Sequence, residues 1–350
     1  MRIQIKTSRW LTKVLILALV GNILNAQLEN KQDISKRGTT AAQFLKISTG
    51  GRGTAMGSAI VAICTDLTSS YWNPAGLAHM KGIQVYFENN DWLAGTDHHF
   101  GAVGFSWPSV GVFSLSLNML STPDDLVRTV ENPKGTGEKF NAQDLSIGLT
   151  VARNLTDRLS LGAGIKNIRQ RIWHSSGQVM AIDIGVQYKT PIRDIMLGAS
   201  ISNFGNDLSL SGRDMNISVD PDPGNQGNVE FVNAKYQTDA FPLPLFFRVG
   251  IGGYLINTSL LKAVFAIDAI HPNDNYEYLN LGLEAAYNEL IYIRAGYPSL
   301  GKDDSIEGPT FGTGIHYRIP RTSTTLKLEY SVADFGPLGM IQRLSIGYHF

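Results

Sequence analysis

Two adjacent histidines are the first residues whose chemistry can be named, because imidazole is the commonest metal ligand in proteins. His98 and His99 fall in a segment with the pattern of a strand. Neighbouring side chains on a strand point to opposite faces, so the pair cannot bind one metal ion in a simple way. We therefore interpret both as polar side chains close to a loop, and we expect no metal site.

A loop rich in oxygen atoms is the second candidate. Residues 220–228, DPDPGNQGN, carry carboxylates and amides of the kind that bind Ca²⁺. The segment lacks the spacing of an EF-hand and the Glu that ends that motif. We interpret it as a flexible external loop, with a calcium site as the alternative.

Other catalytic and cofactor patterns are weak. Gly51, Gly53 and Gly57 do not have the spacing of a dinucleotide-binding loop, and no β-α-β pattern surrounds them. No Ser–His–Asp arrangement can be inferred from spacing. The single cysteine, Cys64, excludes an intrachain disulfide and a Cys-based metal site. We expect a protein that is not an enzyme and that has no cofactor.

Charged residues are the remaining candidates. The 30 basic residues balance the 30 acidic ones, so charge gives no reason to expect nucleic acid as a partner. Many of these charges recur inside strand-like segments, opposite an apolar face, where they are expensive to bury unless paired or hydrated. We expect them to line a lumen, as a network that anchors a plug or as ordinary hydrated side chains. The set is Glu88, Lys166, Asp183, Lys189, Arg248, Lys262, Asp268, Glu284, Arg294, Arg318, Lys327, Glu329 and Arg343.

The elements that would position these charges are strands. From residue 82 onward, apolar and polar residues alternate, as in strands with one apolar face. Several segments have about ten residues, the length with which a tilted strand crosses a bilayer. The pattern predicts fourteen strands, near 82–90, 97–107, 110–120, 140–153, 158–173, 177–189, 194–203, 243–256, 259–271, 275–287, 290–297, 309–319, 322–332 and 341–350.

The connections distinguish a membrane barrel from a soluble β-sandwich, which is the alternative. Every second connection is a tight turn, whereas long loops at 121–139, 204–242, 298–308 and 333–340 fall between them. Outer-membrane barrels place short turns at the periplasmic end and long loops outside. The last strand ends in an aromatic, Phe350, as such barrels do, and we expect the barrel-insertion machinery to read it. The predicted fold is all-β, a transmembrane antiparallel β-barrel of about 14 strands with a small N-terminal plug inside.

Three segments make up the predicted layout. Residues 1–26 have the charged, apolar and small-residue regions of a signal peptide, with cleavage expected after Ala26. Residues 27–81 do not alternate and form the plug, or hatch. Residues 82–350 form the barrel. This layout predicts the bacterial outer membrane as location and its lipid as a partner.

One part of the plug carries a specific motif. It consists of Gly51, Arg52, Ala55, Met56, Gly57, Asp66, Tyr71, Trp72, Asn73, Pro74, Ala75, Gly76 and Leu77. This motif resembles the one that opens the PorV/PorQ family of outer-membrane proteins. It is similar, more loosely, to the hatch of FadL-type long-chain fatty-acid transporters. Both resemblances imply a barrel plugged from inside by residues 27–81.

The local structure at residues 73–76 of the motif and the pairing of Arg52 can be predicted from physical principles. Pro74 fixes φ and Gly76 permits a positive φ, so residues 73–76 are predicted to form a turn near the periplasmic mouth. Arg52 is the one charge of the glycine-rich stretch. Because an unpaired buried guanidinium is costly, we expect it to pair with Glu88, Asp183, Glu284 or Glu329.

The resemblance implies two functions. A PorV-like protein would bind secreted cargo through its C-terminal signal domain and shuttle it in type IX secretion, and this is the function that the motif favours. The alternative is a FadL-like channel for long-chain fatty acids or other hydrophobic small molecules. Apolar loop residues such as Phe231, Phe241 and Leu243 would line its entrance, although we prefer to interpret them as anchors at the membrane interface.

Overall fold

Fourteen long strands form the wall of the molecule. The computed structural model describes residues 36–225, 231–302 and 305–350. The predicted signal peptide, 1–26, and the first residues of the plug, 27–35, lie outside this part. The strands are β1 Ile83–Asp91, β2 Asp97–Trp107, β3 Gly111–Ser121, β4 Ala142–Asn154, β5 Leu159–Ile172, β6 Ser175–Lys189, β7 Met196–Gly205, β8 Phe246–Asn257, β9 Leu261–Pro272, β10 Tyr278–Tyr287, β11 Ile291–Leu300, β12 Thr310–Arg318, β13 Thr325–Asp334 and β14 Met340–His349.

The wall closes on itself. Each strand pairs antiparallel with the next along the chain, and β1 pairs with β14 from Gln84 opposite His349 to Asn90 opposite Arg343. A closed sheet leaves no edge of unpaired backbone in lipid, and for strands this is the only arrangement that can span a bilayer. The predicted fold class is confirmed: the chain forms a closed 14-stranded antiparallel barrel, with several strand bounds shifted by two or three residues.

Alternation along each strand separates the two faces of the wall. In β1, Ile83, Val85 and Phe87 are exposed to 50, 43 and 50% and point outward. Tyr86, between Val85 and Phe87, and Glu88, after Phe87, are buried and point into the lumen. The outward face is therefore a continuous apolar surface of the kind that meets lipid.

The two ends of the barrel differ in their connections. The wall begins and ends at the same end, together with the short turns at 108–110, 155–158, 190–195, 258–260, 288–290 and 319–324. Among the described residues, the opposite end carries the connections 92–96, 122–141, 173–174, 206–225 with 231–245, 273–277, 301–302 with 305–309, and 335–339. In outer-membrane barrels these are the periplasmic and the external end, respectively. Phe350 is at the periplasmic end, where its N–H donates to the Ile83 carbonyl at 2.9 Å.

Short elements complete the chain. The external loops contain the ribbons Asp125–Leu126 with Lys139–Phe140 and Asn216–Val219 with Val232–Lys235, and Ser211–Gly212 pairs with β6. The plug holds two helical turns, α1 Gly51–Ala55 and α2 Ser69–Trp72. The 3-10 turns are Gln43–Lys46, Pro74–His79, Leu93–Gly95, Arg213–Met215 and Gly336–Leu338. Within the described ranges, no helix is long and apolar enough to cross a membrane.

Residues 37–82 run through the lumen from the external to the periplasmic end. Their buried apolar side chains pack against the inner wall; Phe44 and Leu45, for example, form a cluster with Ile168 and Val179. The core of the molecule is therefore the contact between plug and wall.

Three charges that we expected along the lumen lie at its periplasmic rim. Lys189 pairs with Asp194 at 3.1 Å, and both side chains are largely exposed at the periplasmic rim. Lys262 pairs with Glu289 at the same rim. Arg318 is exposed there too. These positions have inward parity, but they stand at strand ends, where alternation no longer decides burial.

Candidate functional site

The plug is fixed first at the external end of the barrel. The Thr40 hydroxyl donates to the Asp274 carboxylate at 2.6 Å, and Lys46 pairs with the same carboxylate. The Ala41 N–H donates to the Pro242 carbonyl at 2.9 Å. Burial works to raise the pKa of Asp274, but the hydrogen bonds from Lys46 and Thr40 outweigh it and hold the pKa below its ordinary value. Through these contacts, the charged Asp274 side chain holds the plug against loop 273–277.

A network of buried charges holds the middle of the plug. Arg52 donates from Nε and Nη2 to the two carboxylate oxygens of Glu284, each at 2.9 Å. Arg294 donates from Nε to Glu284 at 2.7 Å, and its Nη2 lies 3.0 Å from Glu329. The His316 Nε2 atom lies 3.3 Å from a carboxylate oxygen of Glu329. Two cations and two anions thus compensate one another inside the lumen, as buried charges require.

Arg52 is the member of this network that belongs to the plug. Burial acts to lower its pKa, but the Glu284 carboxylate raises it, and the net effect is a raised pKa. The guanidinium is therefore permanently charged. The pairing of Arg52 with an inward carboxylate, expected from the sequence, is present and falls on Glu284.

Backbone N–H groups of the plug donate to two further carboxylates of the wall. The Gly50 N–H donates to Glu88 at 2.7 Å. The N–H groups of Ile60 and Val61 donate to one oxygen of Asp268 at 2.7 and 2.9 Å. Because these hydrogen bonds fix the direction of the donating N–H groups, they orient the plug backbone as well as holding it.

The motif residues around Asn73 build the periplasmic part of the plug. The Asn73 side-chain amide donates to the Val61 and Val186 carbonyls at 2.9 and 3.0 Å, while its oxygen accepts from the Ala75 N–H at 3.1 Å. Trp72 donates from Nε1 to the Thr49 carbonyl at 2.9 Å. Asn73 therefore joins two parts of the plug to β6 and caps the 3-10 turn that follows it.

The expectation for residues 73–76 is wrong in one respect. Residues 74–79 form a 3-10 helix with Pro74 in its first turn, and Gly76 does not have a positive φ. Gly76 is needed for space: a Cβ there would lie 2.4 Å from the Cys64 carbonyl oxygen. The predicted turn itself is present, since the Gly76 N–H donates to the Asn73 carbonyl at 2.9 Å, and Pro74 stands at the start of the 3-10 helix.

The other motif residues lie on the same buried surface. Asp66 accepts from the N–H of Thr68 at 2.9 Å and so stabilises the start of α2. Tyr71 donates to the Leu45 carbonyl at 3.1 Å, and burial raises the pKa of its hydroxyl to about 12. Ala55, Met56 and Leu77 are fully buried. The structure thus brings every residue of the motif into contact within the plug or with the wall.

Cys64 lies at the centre of this assembly. It is fully buried, and the Gln187 side-chain amide of the wall donates to its carbonyl at 3.0 Å. Burial raises the pKa of the thiol to about 12. Because the thiolate is the reactive form, Cys64 is chemically inert while the plug stays in place.

A cavity of about 310 Å³ lies above α1, at the external end of the lumen. Part of its wall is apolar. The polar residues of its lining are Gln43, Lys46, Ser48, Thr54, Ser58, Glu307, Thr310, Asp334 and Arg343. The apolar part consists of Phe44, Ile47, Trp92, Leu120, Pro298, Ala333 and Phe335. The lining thus combines an apolar surface with many polar side chains, so a ligand with both an apolar and a polar part would suit it.

Arg343, one of the residues that line this cavity, has a polar atom without a partner among the described residues. Arg343 is 1% exposed; its nearest carboxylate, Glu88, is 3.8 Å away, and its Nε has no hydrogen-bond partner among the described residues. Next to it in strand register stand Asn90 and Ser331, whose side-chain polar atoms are equally unpaired and buried. Of these three residues only Arg343 lines the cavity, so it is the one placed to contact a ligand there.

His98 extends the same row. It stands opposite Asn90 in register, is fully buried and lies 2.7 Å from the Asn118 side chain, with its Nδ1 unpaired. His98 is the second residue of β2 and so lies close to loop 92–96, as expected, but its side chain is buried; His99 faces the other way, as the strand pattern requires. Among the described residues, no group of side chains can hold a metal ion.

A second cavity, of about 660 Å³, opens at the periplasmic end. Tyr292, His316, Arg318, Thr325 and His349 line it. Since Thr54 lines the external cavity and His316 lines this one, α1 and the charge network around Arg52 lie between the two. The helical turn α1 therefore blocks a path between the two cavities.

Comparisons with known proteins agree with this geometry at the level of the fold. No protein-family model matches the chain, and no curated protein does. Solved structures match at low sequence identity. The toluene transporter TbuX of Ralstonia pickettii has 12% identity and a TM-score of 0.50, with 86% of this chain and 97% of that chain covered. The monoaromatic hydrocarbon channel CymD has 13% identity and a TM-score of 0.51, covering 87% and 98%.

A FadL homologue of Pseudomonas aeruginosa also matches, with 12% identity, a TM-score of 0.48 and coverage of 86% and 98%. With the closed strand pairing, the likeness to TbuX and CymD shows that this chain shares their barrel fold. The chain is an outer-membrane β-barrel.

Sequence reasoning identified the plug residues but missed the cavity. Trp92, Leu120 and Phe335 come from three separate connections or strand ends and have no common spacing. Arg343 was recognised only as a lumenal charge. Its position opposite Asn90, another inward polar residue, becomes visible once β1 is known to pair with β14.

Proposed function

We propose that this barrel is an uptake channel that binds a hydrophobic small molecule in its external cavity. The observation that carries the proposal is the cavity itself: about 310 Å³, part apolar, and open between the plug and the external loops. Two structures with the same fold, TbuX and CymD, are named a toluene transporter and a monoaromatic hydrocarbon channel, which supports the same direction. The proposal includes no catalytic step.

The ligand that suits the cavity is an apolar molecule with one polar or acidic group. The apolar body would lie against Phe44, Trp92 and Phe335. The guanidinium of Arg343 has five N–H donors and only a distant carboxylate partner, so it would receive the polar group. Passage inward would require α1 to move, since α1 separates the two cavities.

Binding to the purified barrel tests this function. Ala333 is buried in the cavity wall, and Ala333→Phe would fill part of the space. We expect an alkyl acid and an aromatic hydrocarbon to quench tryptophan fluorescence in the wild type and to bind at least about ten-fold more weakly to the variant. Ala285→Phe, on the outward face, is the matched control. No binding by the wild type, or equal binding by both variants, would refute the proposal.

A role in type IX secretion is the second candidate. It rests on the resemblance of the motif at 51–77 to PorV/PorQ proteins and on exposed apolar residues in the external loops. Val130 is 94% exposed in loop 122–141, and Phe231 and Tyr236 are 67 and 63% exposed in loop 206–245. Such residues suit contact with a protein partner. Deletion of the gene decides: normal secretion of every cargo with a C-terminal signal domain would exclude this role.

A further inference from the structure

An apolar groove of about 520 Å³ crosses the outer surface of the barrel over β2 to β6. Two rows of outward side chains line it. Phe105, Phe113 and Val151 belong to the row nearer the periplasmic end, and Leu149 and Ile165 to the next. Ala163 completes the first row between Val151 and Ile184 and is much smaller than its neighbours, so the groove is deepest there.

One cation stands at the periplasmic end of this groove. Arg153 follows Val151 on the outward face of β4 and is exposed. Gly111, on the adjacent strand, has no side chain to cover it: a Cβ there would lie 3.6 Å from the Cβ of Arg153. Trp107 is 58% exposed opposite Gly111, as interfacial aromatics are.

Arg153 has no carboxylate within 4 Å in the part of the chain that the structure describes. An outward arginine at the edge of an apolar band faces lipid headgroups, and a guanidinium matches a phosphate group through two parallel N–H···O contacts. A second cation, Arg158, lies in the adjoining periplasmic turn, where its carbonyl accepts from the Lys189 N–H at 2.8 Å.

We infer that this surface is a binding site for an anionic phospholipid of the periplasmic leaflet. The phosphate lies at Arg153, and an acyl chain lies in the groove over Ala163. Charge complementarity at one end and an apolar groove at the other select a lipid, because neither a free phosphate nor a neutral hydrocarbon would use both parts. The site is on the outside of the wall and does not depend on the proposed uptake function.

Native mass spectrometry of the purified barrel tests this site. The mature protein in detergent is mixed with equal amounts of phosphatidylglycerol and phosphatidylcholine. We expect the wild type to retain the anionic lipid preferentially, and Arg153→Gln to reduce this preference roughly five-fold. Arg321→Gln, in the exposed periplasmic turn 319–324, is the matched control and should leave the preference unchanged.

A second variant tests the contribution of the groove to lipid binding independently of the charge. Ala163→Leu fills the deepest part of the groove and should weaken retention of both lipids without changing the preference between them. Heat-modifiable mobility on gels checks that each variant is folded. Equal preference in the wild type and Arg153→Gln, or unchanged retention in Ala163→Leu, would overturn the site.

Discussion

Arg52 of the plug and Glu284 of β10 form two parallel contacts of 2.9 Å between guanidinium and carboxylate. This is the geometry in which a charge pair fixes orientation as well as distance. It joins a segment near the start of the chain to a strand far along it, directly between the two cavities.

Arg52→Ala should therefore loosen the plug. The substitution leaves Glu284 with Arg294 alone and should weaken docking of the plug by roughly 3 kcal/mol. We expect a higher conductance for small hydrophilic ions in planar bilayers, with barrel assembly preserved. Arg128→Ala, in an exposed pair with Asp125, is the control and should behave as the wild type. Equal conductance of both variants would mean that packing alone holds the plug.

Cys64 should report on the same movement. In the native barrel it should not react with a maleimide, because the thiol is buried and its pKa of about 12 leaves almost no thiolate. Raising the pH from 7 to 9 should not change this. Arg52→Ala should accelerate the reaction, measured by mass spectrometry. Ser323→Cys in a Cys64→Ser background gives the rate of an exposed thiol; if native Cys64 reacts at that rate, the plug does not bury it.

The contacts of Asp274 with the plug, at the external end of the barrel, should weaken in acid. The pKa of Asp274 is lowered by its hydrogen bonds, so its stabilisation is fully present above the ordinary carboxyl pKa and is lost as the pH falls through the lowered value. Hydrogen exchange of residues 41–47, corrected for the intrinsic rate, should therefore be slow at pH 7 and faster near pH 3. Asp274→Asn should show the faster exchange already at pH 7. Identical exchange at both pH values would show that the apolar contacts of Phe44 suffice.

The assignment of inward and outward faces can be tested at two adjacent positions of β13. Leu328 is outward and 41% exposed, whereas Lys327 points inward. Leu328→Arg should cost about 2–4 kcal/mol if it lies near the bilayer midplane. Lys327→Leu should cost far less. Urea unfolding in lipid vesicles measures both, and a reversed order would show that the two faces are exchanged.

The sequence predicts the wall well because each strand repeats one physical rule, apolar outward and polar inward. The same rule fails at strand ends, as Lys189 shows, and it cannot say that His98 is buried. The plug is harder, since its contacts are specific to shape. Asn73 and Gly76 were recognised by resemblance, but the carbonyls that surround them come from β6 and from the plug itself, which no local pattern brings together.

The close contact between plug and wall has a consequence for protein engineering. A Cβ at Gly296 would lie 2.0 Å from the Gly57 nitrogen, and one at Gly185 would lie 2.0 Å from the Asn73 side-chain oxygen. The inner surface of the barrel is thus complementary in shape to this particular plug. Plug and wall are not interchangeable modules, and a chimera that combines this wall with the hatch of another 14-stranded barrel would clash at these glycines unless both parts were exchanged together.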